Sequence, residues 1–259
     1  MAKIFCVANQ KGGVGKTTTT VNLAAGLAKL DQRVLLVDLD PQGNATMGAG
    51  INKSKLQASV YQVLLGMSDV KTAVVRSESG GFDVLPANRE LAGAEVEMVE
   101  LENRDKRLRI ALDEVGTNYD FILIDCPPAL SMLTLNGLCA ANGVVIPMQC
   151  EYYALEGLSD LANTIKKVAA NLNPDLKIVG LLRVMFDPRM TLSQQVSDQL
   201  EQHFGDKVFK TLIPRNVRLA EAPSYGIPGV VFDPASKGAQ AYIAFGAEMV
   251  ERIKSLDKK

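Results

Sequence analysis

The sequence predicts an α/β fold: one mostly parallel, twisted sheet with helices on both faces. Three observations carry that expectation. Apolar runs of strand length alternate with segments of helical apolar spacing along almost the whole chain, the pattern of strands joined by crossover helices. Several runs are apolar at consecutive rather than alternate positions, so their strands are buried on both faces. Aromatic residues make up only 5% of the chain and Trp is absent, which leaves Val, Ile, Leu and Ala to fill the core, as parallel strands and their helices prefer. At 259 residues and 47% hydrophobic content the chain can bury a sizeable core, and it reads as one domain over 1–259.

The first elements set the chemistry. Ile4 to Ala8 reads as a buried strand, and Gly15 to Leu30 as a helix with Val21, Ala24, Ala25 and Ala28 at helical intervals. Between them lies Asn9-Gln10-Lys11-Gly12-Gly13-Val14-Gly15-Lys16-Thr17-Thr18. Its glycines let the backbone bend tightly and turn N–H groups inward, while the new helix aims its unpaired N–H groups and positive dipole end at the same point. Such a nest binds phosphates. Lys16 stands where it can reach β- and γ-phosphates, and the Thr17 hydroxyl where it can ligate Mg2+. The usual phosphate-loop pattern asks for glycine at position 10; this chain has Gln10, and a second lysine, Lys11, beside it.

KGGVGKTT therefore resembles the deviant Walker A motif of the ParA/MinD ATPases. The resemblance implies that Lys11, Gly12, Gly13, Val14, Gly15, Lys16, Thr17 and Thr18 hold ATP with Mg2+. It also implies that Lys11 reaches across to the nucleotide of a partner subunit and serves catalysis beside Lys16.

Arg33 to Asp38 (RVLLVD) is the second strand, and Pro41 and Gly43 make the following stretch to Asn44 a loop. In open sheets of this kind ligands sit at the carboxyl ends of the strands, which puts Asp38 and Asp40 at the phosphate end. Asp38 reads equally well as a solvated loop acid. DLDPQGNAT resembles the switch I segment of ParA-type proteins, where the acid at the position of Asp40 orients the attacking water and helps hold the Mg2+ shell. A carboxylate suits that work, because phosphoryl transfer needs positioning and charge management more than strong base chemistry. Residues 45–81 are less informative, although Val60, Val63 and Leu64 mark a short helix. Phe82 to Pro86 follows as a strand, and Asn88 as the N-cap of a helix bearing Leu91, Ala94, Glu95 and Met98. The charged run from Glu100 to Arg109 reads as a solvated helix surface; in ParA-like proteins this flank is a candidate contact for the DNA-bound partner.

Asp120 to Pro128 (DFILIDCPP) is a doubly buried strand that delivers Asp125 at its carboxyl end before Pro127-Pro128 stops it. Asp125 fits a Walker B acid that binds Mg2+ through water, or a cap for the next helix. Gly143 to Met148 is another strand, and Leu155, Leu158, Leu161, Ala162, Ile165 and Val168 lay an apolar stripe on a helix over 154–168. Strand Ile178 to Phe186 leads through the loop Asp187-Pro188-Arg189-Met190 to a helix marked by Leu192, Val196, Leu200 and Phe204. Val208 to Ile213 is the last strand; Pro214-Arg215-Asn216-Val217-Arg218 turns into a short helix that Pro223 terminates. The resemblance places adenine recognition at Pro214, Arg215 and Asn216. The final helix, Gln240 to Ile253, carries Tyr242, Phe245, Met249 and Ile253 on one stripe, which suits the core. The charged tail after it differs from the amphipathic membrane helix of MinD-type relatives.

Net charge is -1, so any DNA contact needs a local patch, which Arg189, Arg215 and Arg218 would supply. The resemblance singles out Arg189 and Arg218 for non-specific DNA. Cys6, Cys126, Cys139 and Cys150 form no C-x-x-C pair and lie in apolar contexts, as buried thiols of a reducing cytoplasm do. The lone His203 has no second histidine to join it at a metal, no apolar run reaches bilayer length, and the start lacks signal-peptide character.

KGGVGKTT, DLDPQGNAT, FILIDCPP and LIPRNVRLAEAPSYG in that order resemble ParA/Soj-type chromosome or plasmid partition ATPases over nearly the whole chain. The resemblance implies a cytoplasmic, nucleoid-associated ATPase. Its ATP-bound homodimer binds non-specific DNA and comes off when a ParB-type centromere-binding partner stimulates hydrolysis. Two rivals stay open: a MinD-like positioning ATPase acting at a membrane or on protein clusters, and a small-molecule phosphoryl-transfer enzyme of the dethiobiotin synthetase kind.

Overall fold

The computed structural model describes residues 1–152 and 154–256, apart from the side chains of 155, 156 and 256. The Leu155 side chain of the expected stripe and tail residues 257–259 lie outside the described residues. Among the described residues, one sheet contains β1 (Lys3–Val7), β2 (Val34–Asp38), β3 (Val75–Ser77), β4 (Phe82–Leu85), β5 (Phe121–Asp125), β6 (Gly143–Met148), β7 (Lys177–Phe186) and β8 (Val208–Pro214). Their spatial order is β3-β4-β2-β5-β1-β6-β7-β8, with β3 antiparallel to β4 and the other pairs parallel. The helices are α1 (Lys16–Ala28), α2 (Asn44–Gly48), α3 (Val60–Leu65), α4 (Val70–Ala73), α5 (Leu91–Glu97), α6 (Arg107–Asp113), α7 (Met132–Ala140), α8 (Ala154–Asn171), α9 (Thr191–Phe204), α10 (Val217–Glu221), α11 (Gly229–Phe232) and α12 (Lys237–Leu256).

The strand period of two divides the core between the two faces. Ile4, Cys6, Leu35, Val37, Ile122 and Ile124 pack under α3 to α9, while Phe5, Val34, Leu36, Phe121 and Leu123 pack under α1, α2 and α10 to α12. Both sides of the central strands are therefore dry, which is why their sequence is continuously apolar. The stripe on α12 is buried as expected, with Tyr242, Phe245 and Met249 at or below 1% exposure. α12 crosses α1 at Gly26, where a Cβ would lie 3.1 Å from the Tyr242 carbonyl oxygen, and the Tyr242 and Thr19 hydroxyls share a buried 3.0 Å hydrogen bond. α12 also finishes the sheet edge: the Glu248 carboxylate accepts the Lys210 and Thr211 N–H groups of β8 at 2.8 and 2.9 Å.

Two local expectations need correction. Asn88 is not the cap residue of α5; Arg89 and Glu90 form a turn first, in which Asn88 Oδ1 accepts the Glu90 N–H at 3.0 Å. The first part of the charged run, 101–106, is turn rather than helix, because Asn103 takes the left-handed conformation at φ 52. All four cysteines are buried and reduced, and His203 is exposed with Nδ1 against the Gln199 carbonyl.

Candidate nucleotide site

Three neighbouring strands, β1, β2 and β5, end side by side. Val7 is in register with Asp125, and so is Asp38, so the parallel ladder alone brings two carboxylates to one level. The phosphate loop leaves β1 just beyond. Asn9 ties it down by donating from Nδ2 to the Pro147 carbonyl at 2.9 Å while its Oδ1 accepts the Lys11 N–H at 2.9 Å. Gly13 and Gly15 take φ values of 75 and 76, the left-handed region that a side chain strains to enter. Gly15 thereby becomes the N-cap of α1, and the loop closes toward the helix's first N–H groups.

Lys16 folds back across the loop, donating from Nζ to the Lys11 carbonyl at 3.0 Å. Burial lowers its pKa, opposed by the charges of Asp125 and then Asp40. Asp125 is fully buried and accepts from the Thr17 hydroxyl at 2.8 Å and the Thr20 hydroxyl at 3.0 Å. Burial pushes its carboxyl up to about 8, Asp38 adds to the rise, and the two hydroxyls oppose it. Asp38 is equally buried, which settles its role against a solvated loop acid. Its oxygens accept the Asp40 N–H at 3.1 Å, the Thr46 N–H at 2.8 Å and the Thr46 hydroxyl at 2.7 Å, so it shapes the loop that carries Asp40. Asp40 is half-buried and holds the Gln42 N–H at 2.9 Å.

This arrangement fits a nucleotide with Mg2+. The Thr17 hydroxyl against the Asp125 carboxylate, with the loop of Asp40 beside them, gives the hard oxygen donors that Mg2+ takes beside phosphates. Thr17, Asp40 and Asp125 would hold that ion, and the loop N–H groups with Lys16 would hold the phosphates.

The other predicted residues sit apart from this cluster. Lys11 is exposed and its ammonium is paired with the Glu151 carboxylate beyond β6. Pro214 is half-buried at the end of β8 beside Phe186 of β7, Arg215 is exposed, and Asn216 caps α10 by accepting the Leu219 N–H at 3.3 Å. Arg189 lies on the loop that leaves β7 and Arg218 in the first turn of α10 after β8, 87% and 56% exposed, and each is ion-paired. α10 ends at Glu221 and the chain tightens into a short 3-10 turn around Pro223, as expected. Sequence reasoning missed Thr20, Thr46, Asn9 and Glu151. Thr20 was findable, since it lies three residues after Thr17 on one helical face.

A family described as an AAA domain (AAA_31) matches residues 2–178. The sporulation initiation inhibitor protein Soj of Bacillus subtilis is 53% identical over 249 residues, 96% of this chain and 98% of that protein. This chain belongs to the ParA/Soj family of P-loop ATPases. The chromosome partitioning protein ParA of Caulobacter vibrioides is 46% identical over 259 residues, covering 99% of this chain and 97% of that one. Among solved structures, a Mycobacterium smegmatis protein named cobyrinic acid a,c-diamide synthase, with bound ADP and magnesium, superposes with a TM-score of 0.86 at 40% identity, covering 98% and 96% of the two chains. The family member thus keeps the sheet expected from sequence, with the phosphate loop at its carboxyl edge.

Proposed function

We propose that this ParA/Soj family member is a partition ATPase whose ATP-bound dimer binds DNA non-specifically and is released by hydrolysis. One observation carries the reading: Thr17 of the phosphate loop is bonded to Asp125 of β5, with the Asp38-shaped loop beside them, so metal, phosphate and water ligands come from three strands at one point. Bound there, Mg2+ supplies charge neutralisation on the β- and γ-phosphates. Lys16 tracks the developing negative charge, and Asp40 orients the attacking water. Pro214, Arg215 and Asn216 receive the adenine. Lys11 exchanges Glu151 for the phosphates of a second subunit, which makes a sandwich dimer depend on triphosphate. The dimer then presents two copies of Arg189 and Arg218 to DNA phosphates, so affinity falls steeply with salt. A ParB-type centromere-binding partner accelerates hydrolysis and returns the protein from nucleoid to cytoplasm. No helix among the described residues is long and apolar enough to cross a membrane, and the α12 stripe is committed to the core.

A second reading, a small-molecule ligase using the same loop, is favoured only by the name of the Mycobacterium smegmatis protein. DNA co-sedimentation of wild type, Lys16→Ala and Arg189→Glu/Arg218→Glu, with no nucleotide, ADP or ATP over a salt series, separates the two. Wild-type binding with ATP alone, lost in both variants, supports the partition switch. No binding with any nucleotide overturns it, and ATP turnover raised by a metabolite would move the assignment to the ligase.

A further inference from the structure

The two arginines assigned to DNA are not free cations. Arg189 grips Asp187 with both arms, Nε to Oδ1 at 2.9 Å and Nη2 to Oδ2 at 2.8 Å, and Asp187 Oδ1 also accepts the Arg189 N–H at 3.0 Å. Arg218 is shared between Glu221, at 3.0 Å from Nη1, and Asp233, at 3.3 Å from Nε. Three carboxylates thus lie within ion-pair distance of the two guanidinium groups that the DNA reading needs. Of the three arginines that would make a basic patch on a chain of net charge -1, Arg189 and Arg218 are thus locally neutralised by the protein's own acids.

We propose that Asp187, Glu221 and Asp233 are built-in competitors for the DNA phosphates and set how weakly this protein holds DNA. The inference rests on the DNA reading of Arg189 and Arg218 given above. A phosphate is the same kind of bidentate partner for a guanidinium as a carboxylate, so the two compete for one fork of donors. Asp187 shares the loop of Arg189, Glu221 lies one turn along α10 from Arg218, and Asp233 caps α11 beside it, so none needs diffusion to return. Each phosphate contact therefore has to displace an intramolecular anion, and the displaced acid lies beside the DNA backbone as a like charge. Both effects oppose binding, whereas non-specific binding by a bare arginine would release only a counterion. The pairs are solvent-exposed, so the competition is shallow: relieving one should tighten DNA binding by about two- to fivefold, the range expected of an exposed pair. A dimer carries each pair twice, and the gains multiply. The same arithmetic keeps binding labile, so losing the dimer is enough to lose the DNA. Asp187 is held near pH 2 by the hydrogen bonds and charge of Arg189, so it stays a competitor throughout the physiological range.

The test measures DNA binding of the ATP-loaded protein for wild type, Asp187→Asn, Glu221→Gln and, as a charge-matched control on the opposite sheet edge, Glu78→Gln. Elution from immobilised heparin along a salt gradient gives a second polyanion readout. Tighter DNA binding and later elution for the first two variants, beyond Glu78→Gln, supports the proposal. If wild type binds DNA through Arg189 and Arg218 but the acid variants match Glu78→Gln, the proposal falls and the DNA reading stands. If no form binds DNA, the DNA reading falls, and heparin elution equal to that of Glu78→Gln then overturns the proposal as well. Weaker binding by the acid variants would mean that the carboxylates position the arginines for DNA, and this too overturns it.

Discussion

Before any nucleotide arrives, Asp125 and Asp38 are carboxyl groups in a dry place, and burial decides their behaviour. An unfolded aspartate titrates near 3.8, whereas Asp125 in the fold titrates at about 8 and Asp38 at about 6. Between those values the folded chain keeps protons that the unfolded chain has released, so stability falls as pH rises from about 4 to about 8. The nucleotide-free protein should therefore melt at progressively lower temperature across that window. Asp125→Asn, which cannot titrate, should flatten the part above pH 6, and Mg-ADP should do the same by supplying a cation. A melting temperature of the nucleotide-free wild type that is level across the window would show that the two acids are better solvated than their burial implies. At this scale the motifs around Lys16, Thr17 and Asp125 pointed to one place, where the structure brings them together, but nothing marked the burial of Asp38. Nothing in RVLLVD distinguishes an acid at the strand's last buried position from one just past it. The difference lies in Thr46, eight residues on, whose N–H and hydroxyl both turn back to the carboxylate.

Among the elements, α1 and α12 are fastened to one another. Their approach at Gly26 and the hydroxyl pair of Thr19 and Tyr242 hold the phosphate-binding helix against the last helix of the chain. Asn22 adds a tie to α11, donating from Nδ2 to the Thr18 carbonyl at 2.8 Å and accepting the Val230 N–H at 2.9 Å. Tyr242→Phe leaves the buried Thr19 hydroxyl without its partner and should destabilise the protein by about 1–3 kcal/mol. A lower urea midpoint with unchanged slope would register this loss; an unchanged midpoint would mean the hydroxyls contribute nothing net. Long helices were legible because α1, α9 and α12 repeat their apolar positions over several turns. The segment 45–81 was legible only at α3, whose Val60, Val63 and Leu64 marked it, since α2, α4 and β3 are three to five residues each, too short for a period to emerge.

For the whole molecule, alternation of strands and helices predicted the sheet but not its order, because the sequence has no marker of which strand lies between β2 and β1. That β5 does so brings Asp125 between the two loops it serves. The proposed dimer belongs to this scale too. Lys11→Ala should still bind ATP through Lys16 and the loop, yet remain a monomer by gel filtration with a non-hydrolysable ATP analogue; a dimer would remove the cross-subunit role of Lys11. The β8 edge has a different bearing on how copies of the chain meet. A bare terminal strand is a template on which foreign strands can stack into fibrils, and here Glu248 already occupies two of its amides with a charged group. At high local concentration the chain is thereby made safer against amyloid-like growth at that edge.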